Sequence, residues 1–327
     1  MINYKTLLEE KLFFKKKCWL ITGVAGFIGS NILETLLSNN QYVIGVDNFS
    51  TGKKKNISKY LGNKEKNFFL IKKDINHLNV NDFPKREINF VIHLAALASV
   101  KESIINPKKC YKNNVLGFER LVSCISKFKS IKKIIYASSA AVYGNNLHRN
   151  SENSNLNPLS PYAISKIQNE KMAEKFSKSS NIKFIGFRFF NIFGRNQNPN
   201  SQYSSVISKW INKLKKNRKI EIFGNGHTSR DFCYVKNVVF FILLSFSKNF
   251  AKHEIFNLAC GKSITLNNLA KILVLNIKKK KSFLKFVKYK KFKKGDIYKS
   301  RSNILKIKKK IYPRIPFNTI KSLKNMI

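Results

Sequence analysis

Short runs rich in β-branched and aromatic residues alternate with segments of helical period over the first two thirds of the chain. The unbroken run Cys18-Trp19-Leu20-Ile21-Thr22 predicts a strand. Beyond the glycine-bearing loop that follows it, Ile32, Leu33, Leu36 and Leu37 fall on one helical face. The same criteria predict strands at 42–46, 68–71, 90–94 and 133–137, with helices such as 115–128 and 162–177 between or after them. Strands alternating with helices imply parallel βαβ units in a doubly wound sheet, so the predicted fold is α/β and Rossmann-type. Past Phe187 the alternation loosens into turn-rich stretches at 195–202 and 223–230.

That loosening predicts a smaller α/β substrate-binding lobe from 191–234 and 260–327, with 1–190 and 235–259 forming the larger, dinucleotide-binding unit. A chain of 327 residues that is 43% hydrophobic and 13% aromatic can bury a sizeable core, which excludes global disorder. Collagen, coiled-coil and small disulfide-scaffold classes are excluded by the same composition. The 63 Lys+Arg against 17 Asp+Glu give a formal net charge of +46. Such a charge suggests a nucleic-acid or membrane-surface binder. Here Lys is spread from Lys5 to Lys324 among abundant Asn and Ile, as drift in an AT-rich genome produces. The lysine runs then read as solvated surface, and no specific nucleic-acid partner is expected.

Cys18, Cys110, Cys124, Cys233 and Cys260 show no CxxC spacing and no His partner at metal-ligand spacing. They predict reduced thiols in a cytoplasmic protein without a metal site. The basic triplet 15–17 ahead of an apolar stretch imitates a secretion signal, but regularly spaced glycines and the lack of a cleavage site argue against one. The longest apolar run, 238–246, is too short to span a bilayer, so no membrane partner is expected.

Three constellations carry chemistry. Gly23, Gly26 and Gly29 lie between a predicted strand and a predicted helix that opens with Phe27 and Ile28. There a tight turn brings backbone N–H groups and a helix N-terminus against a pyrophosphate. Asp47, followed by Asn48, closes the next strand, where a carboxylate accepts ribose hydroxyls and repels a 2′-phosphate, favouring NAD over NADP. Asp47 also reads as an ordinary turn residue. Tyr162 and Lys166 are spaced i,i+4 and so share a helix face, with Pro161 suited to the first turn. A tyrosine is a poor base at neutral pH unless a cation stabilises its phenolate, and Lys166 supplies one. Ser138 and Ser139 end a predicted parallel strand, where hydroxyls face the ligand crevice. Ser138 reads equally as a turn hydroxyl.

These residues resemble the extended short-chain dehydrogenase/reductase family and, within it, the NAD-dependent nucleotide-sugar epimerases. The segments 22–31, 188–195 and 228–234 are most similar to the UDP-N-acetylglucosamine 4-epimerase group. The resemblance implies Ser139, Tyr162 and Lys166 as the catalytic set, with Asp74 and Ile75 by the adenine. It implies His93, Leu94, Ala95, Ala96 and Asn114 near the rest of NAD. Ser99, Asn191, Val206, Trp210 and Arg230 are implied at the UDP-sugar site, with Arg230 on the diphosphate. His93 and Trp210 also read as core residues. Lys293 stands where the family usually has an arginine that meets the diphosphate; it keeps the charge and loses the bidentate fork. Ser300 stands where a small side chain leaves room for an N-acetyl group.

The implied reaction is 4-epimerisation through a 4-keto sugar, UDP-GlcNAc to UDP-GalNAc being the expected pair, without net redox change. A dehydratase or decarboxylase on the same scaffold is the first competitor, though Ala140 and Ala141 stand where those relatives typically carry an acid. A non-catalytic NAD- or polyanion-binding protein is the second. A homodimer formed through helices 115–128 and 162–177 is also implied.

Overall fold

The computed structural model describes residues 4–62, 66–145, 149–198, 206–280, 282–292 and 301–327. Six strands come first: β1 (Cys18–Thr22), β2 (Tyr42–Val46), β3 (Phe68–Ile71), β4 (Phe90–His93), β5 (Lys133–Ser139) and β6 (Lys183–Phe189). Six more follow: β7 (Asn191–Phe193), β8 (Ile220–Phe223), β9 (Ser229–Tyr234), β10 (His253–Leu258), β11 (Ser263–Thr265) and β12 (Val287–Lys290). Seven of them form one sheet in the order β10-β6-β5-β4-β1-β2-β3, parallel throughout. The order reverses beside β1, which opens the ligand crevice of a doubly wound sheet at the carboxyl ends of β1 and β4.

The sheet's helices in chain order are α1 (Tyr4–Leu8), α2 (Phe27–Leu37), α3 (Val100–Ile105), α4 (Pro107–Tyr111), α5 (Gly117–Ile125) and α6 (Pro161–Ser179). After them come α7 (Val206–Lys215), α8 (Val235–Phe246), α9 (Leu266–Lys278), α10 (Leu305–Lys310) and α11 (Thr319–Lys324). Alternate residues of β1 serve opposite faces, as a sheet buried on both sides requires. Trp19 and Ile21 pack with α2 and α8, whereas Cys18 and Leu20 join the core under α5 and α6. Helix α8 is buried at every position but Lys236, because a sheet lies on one side and α1 with the segment around Ile307 and Ile311 on the other. This explains the long apolar run at 238–246.

The helix expected over 115–128 takes a different form. A wide π-type turn at Lys112–Leu116 precedes α5, and the helix ends at Ile125. Asn114 explains the departure, since its fully buried amide accepts from Leu97 N–H and donates to the Ser165 hydroxyl, fixing that turn between β4's loop and α6.

The smaller lobe has its own core, where Phe193, Trp210, Ile222, Phe232 and Leu273 pack together. It contains the three-stranded sheet β11-β9-β7 and the pair β12-β8. Ile307 and Ile311 return to the larger core, packing with α8 and β10.

Candidate active site

The turn between β1 and α2 is shaped by what its glycines lack. Gly23 has φ +72, and a Cβ there would lie 2.9 Å from Ala95 N. A Cβ on Gly29 would lie 2.2 Å from Gly23 O, so only glycine lets α2 start this close to the end of β1. The first amides of α2, whose N-cap is Gly26, lack intrahelical acceptors and face the crevice.

Along that crevice run two adjoining cavities of about 520 and 260 Å³, both bordered by Gly23, Gly26, Leu94 and Ala96. Asp47, Asn48, Asp74, Ile75 and Ala95 line the larger; Phe27, Ile28, Gly29, Ser138, Tyr162 and Lys166 line the smaller. Asp47 is both a turn residue and a lining one. Its carboxylate accepts from Ala25 N–H at 2.9 Å and Phe49 N–H at 2.8 Å, leaving lone pairs for a ligand. Burial pushes its pKa up against those two bonds. Asn48 donates to Asp74 at 2.8 Å and so closes the floor between β2 and β3. For Asp74, burial acts upward but hydrogen bonds from Asn76 and Asn48 prevail and hold the carboxyl low.

At the other end, Ser160 caps α6 by accepting from Ala163 N–H at 3.2 Å, and Pro161 opens the helix. At the second position of α6, Tyr162 faces Ser139, whose hydroxyl acts to lower the phenol's pKa. The Ser139 hydroxyl also accepts from Ala141 N–H at 3.2 Å, capping the 3₁₀ turn Ala140–Tyr143. Lys166 donates to Ala137 O at 2.9 Å, with its ammonium 5.8 Å from the centre of the Tyr162 ring. Burial raises the phenol's pKa, partly offset by the Ser139 hydroxyl, and lowers that of Lys166 to about 8. Lys166 is thereby drawn toward neutral pH, whereas Tyr162 is moved away from it and ionises there only with a neighbouring positive charge.

Other expected residues sit elsewhere. Asn114 is wholly buried behind the crevice wall, and Ser99 is spent as the cap of α3, accepting from Glu102 N–H at 3.0 Å. Trp210 packs in the smaller lobe's core, with Val206 against its edge. Asn191 donates to Asp231 O at 3.3 Å, and Arg230 to Ser229 O at 3.0 Å; neither borders the two cavities. Lys293 and Ser300 lie outside the described residues. Among the described residues no cluster suited to a metal ion occurs, and no helix is long and apolar enough to cross a membrane.

The structure adds residues that the sequence reading missed. Lys53 borders both cavities, and Gly52 closes over Asp47, where a Cβ would sit 2.9 Å from either carboxylate oxygen. Phe189 lines the smaller cavity from the carboxyl end of β6, a position the strand-end rule could have flagged. Asn198 reaches both cavities because Asn31 donates to Arg195 O and Asn196 to Ser30 Oγ, pinning this loop on α2 across 164 and 166 residues of sequence. No local pattern signals such a contact.

The NAD dependent epimerase/dehydratase family profile matches residues 19–259. The chain belongs to this family. Among solved structures, it is 32% identical to a UDP-N-acetylglucosamine 4-epimerase of Methanobrevibacter ruminantium, in complex with UDP-N-acetylmuramic acid, over 95% of this chain and 97% of that one at a TM-score of 0.84. A UDP-glucose 4-epimerase of Thermotoga maritima with UDP-glucose is 31% identical over 94% and 97%, with a TM-score of 0.85. A UDP-glucuronate 4-epimerase of Thermodesulfobacterium geofontis is 32% identical over 89% of each chain. The family's cofactor, NAD, fits the residues present: the turn that a Cβ would fill at Gly23 and Gly29 leaves backbone for a pyrophosphate, and Asp47 stands at the next strand end for a ribose.

Proposed function

We propose that the protein is a 4-epimerase of UDP-sugars, with UDP-GlcNAc and UDP-GalNAc as its substrate pair. The observation that carries the reading is Tyr162 beside Ser139, with the Lys166 ammonium 5.8 Å from the Tyr162 ring, at the inner end of the glycine-lined cleft. The three similar proteins described above are 4-epimerases by name, of N-acetylated, plain and uronic acid sugars, while a dTDP-D-glucose 4,6-dehydratase and a UDP-glucuronic acid decarboxylase also stand among the relatives.

In this reading Tyr162 Oη takes the proton from the sugar's 4-hydroxyl and later returns it. Ser139 Oγ donates to the same sugar oxygen and orients it. Lys166 supplies the positive charge that makes the phenolate accessible near neutral pH. NAD, held by the glycine turn and Asp47, would supply the hydride acceptor and donor that let the sugar's C4 invert without net redox change. The glycine turn and Asp47 hold the pyrophosphate and adenosine ribose, and Phe189 and Asn198 narrow the inner end against water. Arg230, Asn191 and Lys293 are proposed for the diphosphate and Ser300 for the N-acetyl side. Ser99, Val206 and Trp210 are proposed to border the UDP-sugar, Ser99 from the cap of α3 in the larger unit and the other two from the smaller lobe. We further propose a homodimer, and a domain division at 190/191, 234/235 and 259/260 with the α10 segment returning to the larger unit.

The test is incubation of the purified protein, with NAD present, with UDP-GlcNAc, UDP-glucose and UDP-glucuronate in parallel. Chromatography is expected to resolve UDP-GalNAc from the first. Loss of water or carbon dioxide instead would overturn epimerisation in favour of the dehydratase or decarboxylase chemistry. Epimerisation of only the plain sugars would overturn the N-acetyl assignment. Tyr162→Phe should abolish turnover with an unchanged circular dichroism spectrum.

A further inference from the structure

One turn beyond Lys166, α6 presents Glu170 into the space between β5 and β6. Its two carboxylate oxygens face Arg188 in a fork, Oε1 accepting from Nε at 2.9 Å and Oε2 from Nη2 at 2.7 Å. Both side chains are about 95% buried, at 5% and 4% exposure. A buried ion pair contributes little net stability over apolar residues of equal volume, because desolvation offsets the attraction. What distinguishes this pair is where its remaining bonds go.

Glu170 Oε1 also accepts from Ser138 Oγ at 2.5 Å. Arg188 Nη1 donates to Tyr143 Oη at 2.9 Å and to Glu152 O at 3.2 Å, and Tyr143 Oη in turn donates to Asn257 at 2.6 Å. Ser138 immediately precedes Ser139, and Tyr143 ends the 3₁₀ turn that Ser139 caps. The pair therefore grips both ends of the turn that carries Ser139. It does so from the helix that carries Tyr162 and Lys166, and Arg188 is the residue before Phe189, which lines the cavity.

We propose that Glu170 and Arg188 are positioning residues for the reaction: they lock the Ser139 turn to α6 through Ser138 and Tyr143, and keep a negative charge one turn from Lys166. Neither side chain is among those bordering the two cavities. Lys166 is faced by Glu170 on its own helix, by Cys110 from α4 and by His93 from β4. Glu170 is faced in addition by Tyr136 on β5 and His253 on β10. The one negative charge in direct reach of Lys166 among these groups is Glu170, since His93 is held neutral and Cys110 as a thiol by burial.

The proposal rests on the 4-epimerase reading, and its test separates the two. Ser138→Ala and Tyr143→Phe each cut one arm while leaving the ion pair intact, so both should fold. Each is expected to lower kcat by about tenfold or more, in the range a misplacement near 1 Å produces, with KM within about twofold. The double variant should lose less than the product of the two, because both arms hold one turn. In Glu170→Gln the alkaline limb of the rate profile should move to lower pH. Independently of turnover, acetic anhydride labelling across pH, read by peptide mass spectrometry, should find Lys166 reactive at lower pH in that variant. Unchanged kcat in both arm variants, or losses accompanied by an equal fall in thermal stability with no shift at Lys166, would overturn the proposal. An inactive wild type would defeat the epimerase reading, and the labelling of Lys166 would still decide the role of Glu170.

Discussion

His93 ends β4 with its ring stacked on Phe118 at 5.1 Å between centroids and Nδ1 bonded to Thr22 Oγ1 at 2.8 Å. Nε2 is buried without a protein partner, a cost that a neutral imidazole bears better than a charged one. Burial, aided by the nearby Lys166 charge, lowers its pKa from 6.5 to about 3. Between those values the unfolded chain binds a proton that the folded chain does not, so this residue's contribution to stability is complete above pH 6.5 and declines as pH falls toward 3. His93→Leu, measured by thermal unfolding at neutral pH and near pH 5, is therefore expected to lose less stability on acidification than the wild type. An equal loss in both would place the acid sensitivity elsewhere. The sequence allowed two roles for this residue, and the structure gives it the core one, while the shared helix face of Tyr162 and Lys166 was legible from their i,i+4 spacing and its chemistry only from the glycine turn and the Ser138-Ser139 strand end around it. Ser99 and Asn114 were not, since a polar side chain that caps a helix or ties a turn looks in sequence like one that meets a ligand.

Elements were legible where their patterns are local. The run 18–22, the glycine spacing and the acidic end of β2 give β1, its turn and β2 without any tertiary information. The π-type turn before α5 was not, because Asn114 imposes it through partners 17 and 51 residues away. Lys133 is a second such case: in a chain whose lysines read as solvated surface, this one lies within the fold and donates to the carbonyls of Ser245, Phe246 and Lys248 at the end of α8. Burial lowers its pKa to about 8, and the three carbonyls hold its proton at neutral pH. At the β1–α2 turn, Gly29→Ala puts a methyl group against Gly23 O, and backbone on both sides resists the shift. Overpacking of this kind costs about 1 to 3 kcal/mol. The variant should unfold at lower temperature and retain less NAD on gel filtration, and an unchanged NAD content would show that the turn tolerates widening.

At the scale of the molecule, the apolar surface is unevenly placed. Ile104 and Ile105 on α3, Tyr111 at the end of α4, Leu116 in the π-type turn and Ile164 on α6 are all 40% exposed or more. These elements pack side by side, so the five residues mark one flank of the larger unit. In a chain of net charge +46 the rest of the surface has lysine to spend on such positions, and like charges there would oppose association. A second copy is the partner proposed for this flank, because an isologous contact lets one apolar patch cover itself. The same elements hold Ser165, Lys166 and Tyr162, so the proposed contact would stiffen the helix that carries the proposed base. Ile164→Lys is expected to convert a dimer to a monomer in light scattering after gel filtration. Raising ionic strength should partly restore the dimer, since added salt screens the repulsion between lysines brought face to face. A wild-type monomer at micromolar concentration would overturn the assignment of this flank, whereas a dimer indifferent to Ile164→Lys would move the interface to another surface.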